Sequence, residues 1–188
     1  MNCTSRSLAS PLYALALASV FSLSACTTED PVNTTGVIFY DPGNLVYHGI
    51  EGQTVQLRDG SWEGEPWVEG GASRPRVGLV KDFLLLGDID GDGSQEAVVA
   101  LWHSSGGSGT VNYIAILDRM ADGAVNTATA PLGDRVGIEG GSVTEDGMIL
   151  VDLIQHRPDE PACCPTWAVT RHYDAQLNLV KTTDRNTP

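Results

Sequence analysis

The sequence predicts an all-β protein, mainly an antiparallel β-sandwich or a strongly curved sheet, with at most one short helix. Short apolar or alternating runs recur without a long helical period, and they are rich in β-branched and aromatic residues. Turn-forming pairs such as Asp59-Gly60 and Asp146-Gly147 separate several of these runs. The 21 glycines are consistent with a chain that makes many tight turns.

Nine segments carry this strand pattern, and each is bounded by turn residues. In chain order they are residues 36–40, 54–58, 76–86, 96–102, 110–117, 135–140, 148–154, 167–173 and 177–180. The runs AVVAL and MILVDLI within them are almost wholly apolar, which predicts central strands covered on both faces. The run TVQLR alternates between polar and apolar residues, which predicts a strand at a sheet edge.

Residues 36–188 are predicted to form a single β-rich domain. The chain has 188 residues and is 41% hydrophobic, which is enough to close a core and leaves room for one domain rather than two. The only candidate for a short helical turn is the alanine-containing stretch 121–134, which Gly123 and Pro131 interrupt.

The first residues, 1–25, predict a secretory signal peptide. A polar start with one positive charge precedes an apolar stretch that is too short to span a bilayer. That stretch ends in the LSAC motif at residues 23–26, which resembles the lipobox of bacterial lipoproteins. We therefore expect Cys26 to be lipidated and residues 26–35 to form the modified N-terminus and a polar tether.

The lipobox resemblance also implies where the protein is located. Several acyl chains make a stable anchor, so the expected product is a globular domain tied to a membrane of the bacterial cell envelope. Thr27, rather than aspartate, follows the modified cysteine. By analogy with Gram-negative lipoproteins, this implies sorting to the outer membrane.

The acidic composition bears on the choice of partner. The formal net charge is −13 at pH 7. Such a surface repels phosphate backbones, which argues against nucleic acid as a partner and favours cations. The same charge would also keep a secreted domain soluble through self-repulsion.

An acidic segment, GDIDGDGSQE at residues 87–96, predicts a metal-binding loop. Its carboxylates alternate along the chain, and glycines between them allow the backbone to curl around an ion. Calcium prefers six to eight oxygen ligands, which such a loop can supply. The predicted ligands are the side chains of Asp88, Asp90, Asp92 and Glu96, with the backbone carbonyl of Ser94.

The spacing within this loop indicates its type. The last acidic ligand of an EF-hand occupies the twelfth position, which counted from Asp88 is the apolar Val99. The motif instead resembles the Asp-x-Asp-Gly-Asp-Gly-x-x-Asp/Glu loop of FG-GAP and VCBS-type calcium repeats, which joins two strands. Because it occurs once, the resemblance implies the ligands and not the many-bladed fold of those families.

Two questions about this loop stay open at the level of sequence. The acidic residues could form a solvated turn without any ion. If calcium is bound, it could stabilise the fold, since binding energy becomes folding energy, or it could hold a ligand at an open coordination position. Four carboxylates and a carbonyl nearly fill a calcium shell, which favours the stabilising role.

The adjacent pair Cys163 and Cys164 has four possible interpretations. The pair could be a vicinal disulfide, although neighbouring Cα atoms are about 3.8 Å apart, below the usual disulfide range. The cysteines could be reduced and buried, or they could form a redox-active pair. They could also bind a metal together with another side chain, the candidates being His156, Asp159 and Glu160.

Two further clusters could bear on function. His103 precedes Ser104, and the two could form a catalytic pair, although no nucleophile elbow or phosphate-binding motif surrounds them. Trp62 and Trp67 could offer a stacking surface to a sugar or a peptide, or could cap one end of a sandwich.

These observations lead to one main hypothesis and its alternatives. The main hypothesis is a calcium-stabilised envelope lipoprotein that binds or scaffolds an unknown protein or glycan partner without catalysis. Sequence blocks such as VQLRDGSWEGE, GGSGT and CCPT resemble those of bacterial lipoproteins, a likeness that implies no particular activity. The alternatives are an envelope hydrolase using His103 and Ser104, a thiol-disulfide protein using Cys163 and Cys164, and an inhibitor or adhesin presenting the tryptophan loop.

Overall fold

The computed structural model describes residues 41–120, 123–161 and 163–186. The predicted signal peptide, the lipobox with Cys26, the tether and the strand predicted at 36–40 all lie outside these ranges. Within them the protein is all-β, which confirms the predicted fold class. The described residues contain eleven strands and a single 3-10 turn at Pro42–Asn44. Among them, no helix is long and apolar enough to cross a membrane.

The strands follow one another through turns and short loops. Their bounds are β1 Val46–Ile50, β2 Gln53–Gln56, β3 Ser61–Glu63, β4 Arg76–Gly87, β5 Glu96–Ser104, β6 Val111–Met120, β7 Gly123–Asp134, β8 Gly137–Val143, β9 Ile149–Gln155, β10 Trp167–Tyr173 and β11 Leu179–Asp184.

These strands form three antiparallel sheets. A two-stranded hairpin contains β1 and β2, a five-stranded sheet has the order β3-β4-β5-β6-β7, and a four-stranded sheet has the order β11-β10-β9-β8. Among the described strands, each is therefore hydrogen-bonded only to strands that are its neighbours in sequence. Each of the two larger sheets is a meander, which is the simplest antiparallel topology.

One apolar core lies between the five-stranded and the four-stranded sheets, which pack as a sandwich. Alternate residues of β5 and β6 point into it, and they meet side chains of β9 and β10. The buried members of this inter-sheet core include Val98, Ala100, Ile114, Ile116, Leu132, Ile149, Val151, Leu153, Val169 and Tyr173.

A second core covers the opposite face of the five-stranded sheet. The β1–β2 hairpin lies over that face and contributes Tyr47, Ile50 and Val55, which are almost fully buried, as is Leu57 directly after β2. They pack against the other set of alternate residues, which includes Val77, Ala97, Val99, Leu101, Tyr113, Ala115 and Leu117. The five-stranded sheet is therefore the middle layer of three.

Packing on both faces of the five-stranded sheet explains why the run AVVAL is wholly apolar. Residues 96–101 of β5 are all buried, because one set of alternate side chains faces the hairpin and the other faces the four-stranded sheet. The prediction of a central strand covered on both faces is confirmed there. It is only partly right for MILVDLI, because β9 is an inner strand but buries only alternate residues. TVQLR lies at an edge as predicted, since β2 pairs only with β1.

A buried amide joins the hairpin to the five-stranded sheet. Asn126 of β7 is 6% exposed, and its Oδ1 accepts a hydrogen bond from the backbone N–H of His48 in β1 at 2.9 Å. Its Nδ2 donates to the carbonyls of Ile116 and Ala128 at 3.1 and 2.8 Å. The amide is therefore satisfied on both ends, as a buried polar group must be.

The stretch 121–134, the candidate for a short helical turn, contains no helix in its described residues, which agrees with the prediction of at most one. Residues 123–134 form β7, which pairs with β6 along its length. Alanine favours helices only weakly, and the free edge of β6 gains a full ladder of hydrogen bonds from a strand partner. Pro131 is tolerated because β7 is the outermost strand of its sheet.

Replacing Leu101 with alanine tests the covered middle layer. Leu101 is fully buried in the core under the hairpin, so Leu101→Ala leaves a cavity and should lower the free energy of unfolding by about 2–5 kcal/mol. Leu84 of the adjacent strand β4 is 51% exposed, and Leu84→Ala should cost about 1 kcal/mol or less. Urea unfolding of both variants measures the difference, and equal losses would contradict the layered arrangement.

Candidate metal centre

The acidic loop joins β4 to β5, as predicted for a strand-to-strand loop. The ladder between the two strands ends with Gly87 opposite Glu96. Beyond it the chain turns through Gly91 and Gly93, whose φ angles of 81° and 89° favour glycine. Asp88 stabilises this turn, because its carboxylate oxygens accept the N–H groups of Gly91 at 2.8 Å and Gly93 at 3.1 Å.

Three of the predicted ligands converge. One carboxylate oxygen from each of Asp88, Asp90 and Glu96 lies within 4.8 Å of the other two. Among the residues that the structure describes, this is the one group of three or more acidic, histidine or cysteine side chains with that geometry. Oxygen ligands of this kind suit hard cations such as calcium or magnesium.

Glu96 is the buried member of the group. The residue is only 4% exposed, and its Oε2 accepts a hydrogen bond from the backbone N–H of Ile89 at 2.7 Å. Burial raises the pKa of this carboxyl, and the nearby charges of Asp90 and Asp92 raise it further, while the hydrogen bond from Ile89 opposes them. A cation beside Glu96 would stabilise the charged form that burial disfavours.

The carboxylate of Asp92 does not belong to the converging group. The Oδ1 of Asp92 accepts the N–H of Ser94 at 2.6 Å, and the N–H of Asp92 donates to Asp90 at 3.1 Å. In this structure Asp92 therefore shapes the turn, as aspartate commonly does by bonding to the backbone two residues on. The predicted roles of Asp92 and Ser94 as ligands stay predictions.

A second acidic turn lies beside the loop, and sequence reasoning missed it. Glu145 and Asp146, in the turn between β8 and β9, line a small cavity of about 200 Å³ together with Asp88 and Asp90. The sequence showed only the Asp146-Gly147 pair, which predicts a hairpin turn and does not indicate what the turn packs against. A cation at this end of the sandwich would therefore be surrounded by carboxylates from both large sheets.

The structure does not bring His103 and Ser104 together as a catalytic pair. They are adjacent in β5, so their side chains point to opposite faces. His103 is buried, and its Nδ1 lies 3.9 Å from Glu51 Oε1. That Glu51 oxygen also accepts the hydroxyl of Tyr113 at 2.9 Å. Ser104 Oγ instead accepts the N–H of Gly106 at 3.3 Å.

The cysteine pair lies in the loop between β9 and β10. Both thiols are free and exposed, which excludes the interpretation of buried cysteines, and their Sγ atoms lie 2.7 Å apart. Glu160 closes this loop by accepting hydrogen bonds from the backbone N–H groups of Arg157 and Thr166, at 3.0 and 3.2 Å.

The two tryptophans of the 61–67 segment behave differently. Trp62 in β3 is partly buried against the core under the hairpin. Trp67 is 64% exposed and its neighbour Val68 is 70% exposed. The indole Nε1 of Trp67 donates to the carbonyl of Ser105 at 2.6 Å, which holds the ring beside the turn between β5 and β6. Trp67 and Val68 thus form a small exposed apolar surface.

Comparisons with family models, with curated proteins and with solved structures found no match to this chain. The resemblances to bacterial lipoproteins and to the FG-GAP and VCBS-type loop therefore stay predictions.

The contact between the two acidic turns gives a test at Gly147. This residue has a φ of 78°, and a Cβ there would lie 2.6 Å from the carbonyl oxygen of Ile89. Gly70 has a similar φ of 73° but open space around it. Gly70→Ala should therefore cost only the conformational strain, about 1–2 kcal/mol. Gly147→Ala should cost roughly 1–3 kcal/mol more, because the turn must move away from the loop.

Chemical denaturation of the two glycine variants gives this comparison. Similar destabilisation by both would contradict the close packing of the β8–β9 turn on the acidic loop.

Proposed function

We propose that this chain is a calcium-stabilised lipoprotein of the bacterial cell envelope that acts by binding or scaffolding, not by catalysis. The observation that carries the calcium part is the convergence of Asp88, Asp90 and Glu96 within 4.8 Å of one another. Calcium suits an oxygen-only group in a curled loop, because it accepts irregular geometry and six to eight ligands, whereas magnesium requires a near-ideal octahedron.

The position of the loop supports a stabilising role for the ion. Ile89, in the middle of the acidic loop, is 5% exposed and belongs to the inter-sheet core. The loop therefore lies partly within the end of the sandwich, with the carboxylates around it. An ion there would offset the repulsion among these carboxylates and would fix the loop that positions Ile89.

The envelope part of the proposal rests on the N-terminal sequence. The LSAC motif at residues 23–26 supports lipidation of Cys26, and Thr27 supports an outer-membrane location. Lipidation would make the membrane itself a partner of the chain, through the acyl anchor. The net charge of −13 supports a protein that does not bind nucleic acid.

The binding part of the proposal rests on the Trp67–Val68 surface. An exposed tryptophan whose Nε1 is held by a backbone carbonyl loses little conformational entropy when a partner packs on it. Aromatic side chains of this kind are enriched at protein interfaces and also stack on sugars. The surface therefore suits a protein or a glycan partner.

Calcium titration tests the metal proposal. Calcium at a hundred times its Kd should raise the free energy of unfolding by about 2.7 kcal/mol, and a chelator should remove the gain. Glu96→Gln and Asp90→Asn should each weaken calcium binding about tenfold or more, since each removes one charged ligand. Isothermal titration gives the affinity, and thermal melts with calcium or chelator give the stability.

Asp82→Asn is the matched control for the ligand variants. Asp82 is exposed and lies in an irregular part of β4, outside the acidic cluster. The substitution removes one negative charge, as the ligand variants do, but it removes no proposed ligand. The calcium affinity of the variant should therefore equal that of the unaltered protein. If calcium gives neither heat nor a change in Tm, or if Asp82→Asn weakens binding as much as Glu96→Gln, the proposed site is wrong.

Lipid attachment is tested at Cys26. Expression of the chain in a Gram-negative host should place it in the membrane fraction, and Cys26→Ala should release it into the soluble fraction, because the acyl anchor cannot form. Metabolic labelling with a fatty acid measures the modification directly. Labelling that persists in Cys26→Ala would rule out the lipobox assignment, and Cys3→Ala is the control that should leave labelling unchanged.

A further inference from the structure

The thiol pair in the β9–β10 loop has an arrangement that the proposed function does not use. Cys163 and Cys164 are both exposed and free, and the Sγ of Cys164 donates to the Sγ of Cys163 at 2.7 Å. Exposed thiols are reactive, and free cysteines are more often buried. Two thiols that already converge at the surface can bind one small ligand together.

The loop holds these thiols in place. The carboxylate of Glu160 accepts the N–H groups of Arg157 and Thr166, together with the hydroxyl of Thr166. The N–H of Cys164 donates to the carbonyl of Pro161 at 3.4 Å. Because these contacts fix both ends of the segment, the two sulfurs are presented on the same side of a closed loop.

The described surroundings do not form a closed tetrahedral metal site. A structural zinc ion takes four protein ligands. Within the described ranges, no histidine, aspartate or glutamate forms a three-membered group with the two cysteines. His156 in particular does not join them, although both of its ring nitrogens are buried without a hydrogen-bond partner in the described part of the chain. A ligand of Cys163 and Cys164 would therefore be held by these two sulfurs without a third protein side chain.

The protonation of the pair also favours a neutral ligand. The hydrogen bond that the Cys164 thiol donates to Cys163 raises the pKa of Cys164, and partial desolvation and the charge of Cys163 act in the same direction. Divalent cations bind thiolates and must displace these protons. A neutral hydroxide of a soft element can instead condense with thiols and release water.

We propose that Cys163 and Cys164 form a two-sulfur binding site for trivalent arsenic, in the form of arsenite or an organic arsenical. Trivalent arsenic is soft and pyramidal, so two neighbouring sulfurs and one further group complete its bonds. In the reaction, two S–H and two As–O bonds break, and two As–S bonds and two O–H bonds form. Two water molecules leave, and no oxidation state changes.

A disulfide between the same sulfurs is the competing outcome. It would have to close the Sγ atoms from 2.7 Å to about 2.05 Å within adjacent residues, whose Cα spacing of about 3.8 Å is below the usual disulfide range. Binding of arsenic instead requires the sulfurs to move slightly apart, which a rotation of exposed side chains can supply. Each outcome needs a different rotation of the two side chains, and native mass spectrometry distinguishes the two products.

The test uses the full chain carrying Cys3→Ser and Cys26→Ser, so that Cys163 and Cys164 are the two cysteines that remain. After reduction, alkylation of a sample should confirm two free thiols. Arsenite is then added, and native mass spectrometry counts the arsenic bound. We expect one arsenic per chain, with the loss of two thiol hydrogens. A further substitution in this chain, Cys163→Ser or Cys164→Ser, should weaken arsenite binding about 10²- to 10⁴-fold, because the second As–S bond of the pair forms intramolecularly.

Three results would overturn the proposal. One is a fully reduced pair that binds no arsenite, and another is a single-cysteine variant that binds it as tightly as the pair. The third is a pair that re-forms a disulfide in reducing buffer and cannot be alkylated. Zinc is the comparison ion in equilibrium dialysis, and stoichiometric zinc bound by these two cysteines would also contradict the choice of arsenic. Both variants change exposed side chains, so circular dichroism should show an unaltered fold.

Discussion

The burial of strand β5 on both faces is the constraint on which the rest of the structure depends. Its first six residues are all buried, so neither face of the five-stranded sheet can be left to solvent without exposing a continuous apolar stripe. The four-stranded sheet covers one face and the β1–β2 hairpin covers the other. Asn126 adds a polar contact between the hairpin and β7, because its Oδ1 accepts the backbone N–H of His48 as well as the hydroxyl of Thr129.

This burial also determines the chemistry of the acidic loop. Glu96 is the first residue of β5 and points toward the inter-sheet core, so its carboxylate is taken out of solvent along with the apolar residues that follow. The loop before it stabilises this buried carboxylate through a hydrogen bond that the N–H of Ile89 donates. Asp88 and Asp90 of the loop converge with it at the same end of the sandwich. The proposed cation would stabilise this arrangement.

Much of the fold could be predicted from local patterns, and the errors lie where tertiary contacts decide. The run AVVAL revealed a doubly covered strand, and Val99 correctly indicated a loop between strands. The strand at residues 123–134 is missing from the predicted segments, because its pairing with the edge of β6 cannot be read from the local sequence. Asp88, Asp90 and Glu96 converge, as the spacing of the loop suggested. The neighbouring turn with Glu145 and Asp146 was missed, because only packing between the two sheets brings it to the loop.

The order of the strands has a consequence for how the chain reaches this structure. In both large sheets each strand pairs with the strand next to it in sequence. Closing each pair therefore costs the entropy of a short loop, and no long crossover must form before a sheet can grow. In sandwiches with Greek-key connections, the larger entropy loss of closing a long connection comes early, and such proteins fold slowly. This chain should fold quickly for an all-β protein, with docking of the two completed meanders as the step that depends on distant contacts.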